Sequence, residues 1–348
     1  MKKQPAKMVG MALALLGIMA VLTAAHAQVT LTAGDASGSS SYNAAGHWSS
    51  GLAPAAGSTY DTEGYLLRGP SSGTGPYVFA GDSLTVGTGS GQNPGGSAFL
   101  ASTGIVTPNN NGLIFKVNGQ TLTVNNLILD GAQIRDGNTD GNNGYLNGNI
   151  YVTANGGAFM AQETNWIGSA ITGVGPIYIG DNGDGDARRV IIFTSTFNIS
   201  GNLIFNNTHT SANYSRATFA PGSVLTFTIG ANGVNNQITG ISGSGTSGTL
   251  QLNGNLNFNL AGADNTVGDI WDIVDPSVTT TYGATFAVNG FTQNGSLWDD
   301  PIGNGDQYEY NTATGVLTVD GVPEPSTFIL AGLGLAGLAL VRARRRQA

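Results

Sequence analysis

The chain has 348 residues, 54 glycines, no cysteine, 10% charged side chains and a formal charge of −8, so it is long enough for a large core but has no disulfide framework. Seven of its 13 basic residues lie at the two ends, leaving Arg68, Lys116, Arg135, Arg188, Arg189 and Arg216 scattered through the body. Scattered cations of that number do not neutralise a phosphate backbone, which excludes nucleic acid as an expected partner.

The chain opens with the features of a secretory signal peptide. Lys2, Lys3 and Lys7 precede an apolar run from Val9 to Leu22, and Ala25-His26-Ala27 supplies the small-x-small cleavage site. Residues 1–27 are therefore predicted to be removed, leaving Gln28 first. Residues 28–111 are rich in Ser, Pro and Gly, carry the pair His47-Trp48, and are expected to form a loop-rich β cap.

From 112 to 262 short apolar runs alternate with period two, as in Leu225, Phe227, Ile229 and Leu256, Phe258, Leu260. Asn-rich and Gly-rich turns separate them. The strand-opening phrases at Gly119, Gly148, Gly201, Gly222 and Gly248 step by 29, 53, 21 and 26 residues, which suits a solenoid coil of roughly 20–30 residues with insertions. The expected class is all-β, with a parallel β-helix-like solenoid over 112–262. A β-sandwich is the alternative, because it also uses short strands between turns. Residues 263–320 gather Trp271, Phe286, Phe291 and Trp298, and are expected to form a terminal β module that closes the stack.

Chemistry has few footholds. No cysteine nucleophile is possible, and Gly243-Ser244-Gly245 is not followed by a helix as a nucleophile elbow would be. The reading is therefore non-enzymatic. The rival is a glycan-binding or glycan-cleaving solenoid. Asp181, Asp184 and Asp186 beside Arg188 and Arg189 offer an acid-base group for it, and Tyr42, Trp48, Tyr145, Tyr151, Trp166 and Tyr178 offer stacking surfaces.

Calcium is the one cofactor with a partial motif. Asp136, Asn138 and Asp140, followed by Gly141, match the first half of a calcium loop, although Asn147 stands where the bidentate Glu would be. Asn182, Asp184 and Asp186 repeat the alternate spacing, with Ala187 in the glycine position and Phe193 in the last ligand position.

Two resemblances complete the reading. Gly46-His47-Trp48 with Pro54 and Gly57, the Gly/Asn-rich runs, and Gly268 to Val274 through Thr314 to Val319 are similar to surface proteins with autotransporter-associated β-strand repeats. The last segment, 321–348, is more specific: Val322-Pro323-Glu324-Pro325-Ser326-Thr327, the apolar run Phe328 to Val341, and Arg342, Arg344, Arg345 and Arg346 resemble the PEP-CTERM signal. Pro323 and Pro325 keep the approach free of helix, the apolar run is expected to form one transmembrane helix, and the arginines should stay cytoplasmic. The resemblance implies transient inner-membrane residence, processing near Pro323, Glu324 and Pro325 by an exosortase-type membrane transpeptidase, and release or attachment at the surface of cells that make exopolysaccharide.

Overall fold

The computed structural model describes residues 27–71, 75–87, 112–115, 119, 121–136, 143–161, 163–181, 190–207, 216–242, 248–303, 305–321, 332–338 and 342. Apart from 332–338 and Arg342, which are helical, their regular elements are β-strands.

The strands wind into a parallel stack with three faces. The first face runs through Leu66–Arg68, Gly112–Phe115, Gln133–Asp136, Gly157–Ala161, Ile177–Asp181, Leu203–Asn207 and Ile238–Ser242. The second contains Thr164–Ile167, Val190–Phe193, Arg216–Phe219, Thr249–Leu252 and Thr279–Tyr282, and the third contains Ala170–Gly173, Thr196–Ile199, Val224–Thr228 and Asn255–Asn259. Two long strands, Thr121–Asp130 and Gly144–Val152, turn the corner between these two faces and join them into one sheet. The body is thus a β-helix. Paired strands of the same stack lie on both sides of 112–262, beginning at Ala27–Thr30 and Ser58–Asp61 and ending at Ala287–Val288.

Alternation explains the stack. In Thr196–Ile199 the second and fourth residues are buried while the first and third are exposed, so each strand contributes one row to the interior and one to the outside. Register then places like on like. The third face carries an unbroken interior ladder of Val29, Tyr60, Leu84, Leu127, Ile150, Ile171, Phe197, Leu225, Leu256 and Val288, all buried. Burying each such side chain contributes about 1.5–3 kcal/mol, which is how a body without disulfides holds together. Aromatic contacts reinforce the middle, where Phe193 stacks on Phe219 at 4.9 Å and meets Phe197 edge-on at 5.2 Å. The first face departs from alternation: all five residues of Gly157–Ala161 are buried, so this sheet is covered on its outside as well.

Both ends are closed. At the N-terminal end Trp48, Tyr60 and Phe79 pack edge to face at 4.9 and 5.2 Å, and the Trp48 indole N–H donates to the Ser41 carbonyl at 2.6 Å. Buried Asp35 accepts from the backbone N–H of Ser41 and of Arg68, both at 2.9 Å, and from the Ser41 hydroxyl at 2.6 Å. The backbone around Trp48 covers the first strand, with Leu31 and Trp48 forming an antiparallel bridge and the Ser49 N–H donating to the Thr30 carbonyl at 2.8 Å.

At the other end an antiparallel sheet of Ile270–Asp272, Val316–Gly321, Asp306–Asn311, Leu297–Gly303 and Thr292–Asn294, in that order, presses its aromatic side onto the last coils. Phe258 meets Tyr310 at 5.4 Å, Phe286 meets Trp298 at 5.6 Å, and the hydroxyls of Tyr282 and Tyr310 are 2.9 Å apart.

Among the described residues no helix is long and apolar enough to cross a membrane. The expected signal peptide lies outside the described residues except for Ala27, which begins the first strand, and so does most of the expected membrane helix, of which 332–338 and Arg342 are described and exposed.

Candidate functional site

The sequence-predicted site residues fall in different places. Asp136 ends its strand on the first face, while Asn138 and Asp140 lie outside the described residues. Among the described residues no group of three or more His, Asp or Glu side chains is arranged to hold a metal ion. Asp181 ends the strand Ile177–Asp181, and Asp184, Asp186, Arg188 and Arg189 lie outside the described residues, as do Ala25, Pro323, Glu324, Pro325, Arg344, Arg345 and Arg346.

The aromatic candidates separate by burial. Tyr42 and Trp48 are buried in the N-terminal closure, where the Tyr42 hydroxyl donates to the Thr123 carbonyl at 2.7 Å. Desolvation raises the Tyr42 hydroxyl well above the ordinary tyrosine range. Tyr178 is buried on the outside of the first face with Ala158 and Met160. Tyr145 and Trp166 stack on each other across neighbouring coils at 6.0 Å and 17°. Tyr151 alone projects into solvent, with 48% of its surface exposed.

Tyr151 alternates outward between buried Ile150 and Val152, and a corner precedes it. A β-bulge between Val124 and Leu127 ejects Asn125 and Asn126, and Gly148 of the next coil passes beneath it at φ +114°. A side chain at Gly148 would overlap the Val124 carbonyl oxygen, so only glycine fits. The Asn126 amide donates to the Asp82 carbonyl at 2.8 Å and the Asn149 amide to the Asn125 carbonyl at 3.0 Å. Asp82, Asn125 and Asn126 line a shallow hollow of about 580 Å³ together with Val78, Phe79 and Ala80.

From this corner the outward row of the third face runs Ile128, Tyr151, Thr172, Asn198, Thr226 and Asn257 in strict register. Thr172 and Asn198 are exposed, and Thr226 and Asn257 are half-buried.

Towards the N-terminus the same outward row continues from Ile128 through Thr85 to Asp61. Asp61, on the third face nearer the N-terminus, is raised above the ordinary carboxyl range, first by burial and then by the charges of Glu63 and Asp130. Asp130 accepts from the Thr153 hydroxyl and, at 2.8 Å, from the Asn155 amide. Asp269 is raised chiefly by a hydrogen bond shared with Asp264 in the terminal module, and it accepts from the Thr266 N–H at 3.1 Å. Asp61, Asp130 and Asp269 thus act as turn and corner acceptors, while Asp300 and Glu309 of the terminal module are raised chiefly by burial.

The chain's ending identifies itself by sequence. Residues 321–346 match the PEP-CTERM protein-sorting motif. The motif implies export, sorting to the surface and processing by an exosortase. It begins at Gly321, the last residue of the terminal module's strand Val316–Gly321, so the sorting segment joins the β-helix directly at its closed C-terminal end. No curated protein matches the chain.

The signals that sequence reasoning missed are Thr172, Asn198, Thr226 and Asn257. Each directly follows an inward residue of the long ladder, and aligning the strands on that ladder brings the outward row out.

Proposed function

We propose that this chain is a non-enzymatic structural protein of the cell surface or extracellular matrix, delivered by its PEP-CTERM motif, held transiently in the inner membrane by the apolar run after Pro325, and associated with exopolysaccharide once released or attached. The observation that carries this reading is the ten-rung interior ladder closed at both ends and followed at once by the sorting motif. Such a body is a rigid spacer with long flat faces, and the edge covering around Trp48 guards its first strand against pairing with other chains. Asp35 and Asp130 support a structural role, since Asp35 organises backbone N–H groups and Asp130 fastens a corner. The exported form begins near Gln28, after cleavage at Ala25-His26-Ala27.

The test is intact mass and fractionation in a host that encodes an exosortase. The expected result is a surface form that starts near Gln28 and ends near the Pro323-Glu324-Pro325 segment, with loss of surface delivery when those three residues become alanine. A dominant surface form still ending at Ala348 would overturn the processing step.

A further inference from the structure

On the reading just given, we propose that the outward side of the third face is a binding surface for a neutral polysaccharide, with Tyr151 as its stacking anchor and Thr172, Asn198, Thr226 and Asn257 as its hydrogen-bonding track.

Geometry is the first argument. Parallel strands hold the five residues in one line, one per coil, at a spacing of about 4.8 Å, so the track extends for roughly 19 Å. An extended glycan presents the same kind of object: a flat ribbon whose hydroxyls recur at regular intervals and whose ring faces are apolar. Tyr151 supplies an exposed aromatic ring for one sugar face at the start of the line, two residues after Asn149, whose amide bonds to the Asn125 carbonyl at the corner.

Uncommitted hydrogen-bonding capacity is the second. Within the described residues the side chains of Tyr151, Thr172, Asn198, Thr226 and Asn257 form no hydrogen bond, and their donors and acceptors point outward. Other asparagines of the body are tied into the fold. Asn236, for example, accepts from the Thr228 N–H at 2.7 Å and donates to the Ile199 carbonyl at 3.0 Å. Amides and hydroxyls offer both donors and acceptors, which is what alternating sugar hydroxyls require.

Charge is the third. The strands Gly144–Val152, Ala170–Gly173, Thr196–Ile199, Val224–Thr228 and Asn255–Asn259 contain no Asp, Glu, Lys or Arg. The protein as a whole is at −8, so a uronate-rich or sulfated polymer is repelled at long range and finds no cation on this face. A protein partner would need an apolar centre, which a row of Thr and Asn lacks.

The experiment measures binding of the chain from Gln28 to Gly321, purified and confirmed as folded by its β-type circular dichroism, to neutral glucan and galactan polymers and to alginate as the acidic comparison. The expected result is saturable binding to at least one neutral polymer. Tyr151→Ala should weaken it about tenfold, Tyr151→Phe should retain it, and Asn198→Asp with Thr226→Asp should abolish it; the two Tyr151 variants should unfold at the midpoint of the parent within error, and the double variant, whose carboxylates face each other on neighbouring rungs, at a lower midpoint but with the same β-type circular dichroism. Binding to alginate alone, equal binding by Tyr151→Ala and parent, or no binding to any neutral polymer by a parent chain that self-associates until Asn198→Asp with Thr226→Asp is introduced would each overturn the proposal. Surface delivery of the Tyr151→Ala chain in the host separates this outcome from the sorting reading, because a failed glycan site leaves delivery intact.

Discussion

Gly148 gives the sharpest test of how the corner is built. Replacing it by alanine places a side chain at φ +114°, where an L-residue is strained by about 1–3 kcal/mol, and directs the new methyl into the Val124 carbonyl oxygen. The bulge must then shift, and two ladder hydrogen bonds at about 1 kcal/mol each are exposed to loss. The total is on the order of 4 kcal/mol. Gly222 provides the control, because it has φ +85° in the turn closed by the Ser223 N–H to the Ala220 carbonyl and its Cβ would meet nothing. There the strain is partly offset by the smaller conformational freedom of alanine in the unfolded chain, leaving a net cost of about 1 kcal/mol. Urea unfolding followed by circular dichroism should show the Gly148→Ala midpoint falling several times further than that of Gly222→Ala. Equal shifts would refute the argument, since they would mean that the close approach beneath the bulge contributes nothing beyond backbone strain.

Other outcomes follow from the same structure. Phe193→Ala should cost about 3–5 kcal/mol by leaving a void among Phe159, Phe197 and Phe219, and Phe193→Leu markedly less, in the same urea assay. Asp35→Ala should cost about 3 kcal/mol, because the buried N–H of Ser41 and the partly buried N–H of Arg68 lose their acceptor, and it should accelerate proteolysis near Trp48. Asp61 has a raised proton affinity in the fold, so the stability it lends is complete below the unfolded carboxyl value of about 3.9 and is lost as pH rises through the higher folded value. Asp61→Asn should therefore raise the urea midpoint at pH 7 and leave it nearly unchanged at pH 3. An equal shift at both values would remove burial of the charge as the cause.

The period-two rows of Thr196–Ile199, Val224–Thr228 and Asn255–Asn259 made strands legible because each has one wet side and one dry side. The first face was harder to see in the sequence. Gly157–Ala161 is buried on both sides and so shows no alternation. Strands within 28–87 were hidden by distance: Leu84 pairs with Leu127, so one turn of the helix there consumes far more chain than the others. The outward row from Tyr151 to Asn257 was invisible for a related reason. Its members are 21, 26, 28 and 31 residues apart, and loops of unequal length erase any fixed period even though the strands stack in perfect register. Threonine and asparagine also look like turn residues until their inward neighbours are aligned.

The ladder also fixes how the molecule meets force. Tension applied through its two ends would load the coils in series, from the first rung at Val29 on one side and from the closure around Trp271 on the other. Beyond them the paired residues Leu127, Ile150, Ile171, Phe197, Leu225, Leu256 and Val288 are separated by 23, 21, 26, 28, 31 and 32 residues. Each coil that peels away would thus release about 70–110 Å of slack at roughly 3.4 Å per residue while the coils behind it stay wound. A body built this way yields in steps, as a shock absorber between whatever grips its faces and whatever holds its end.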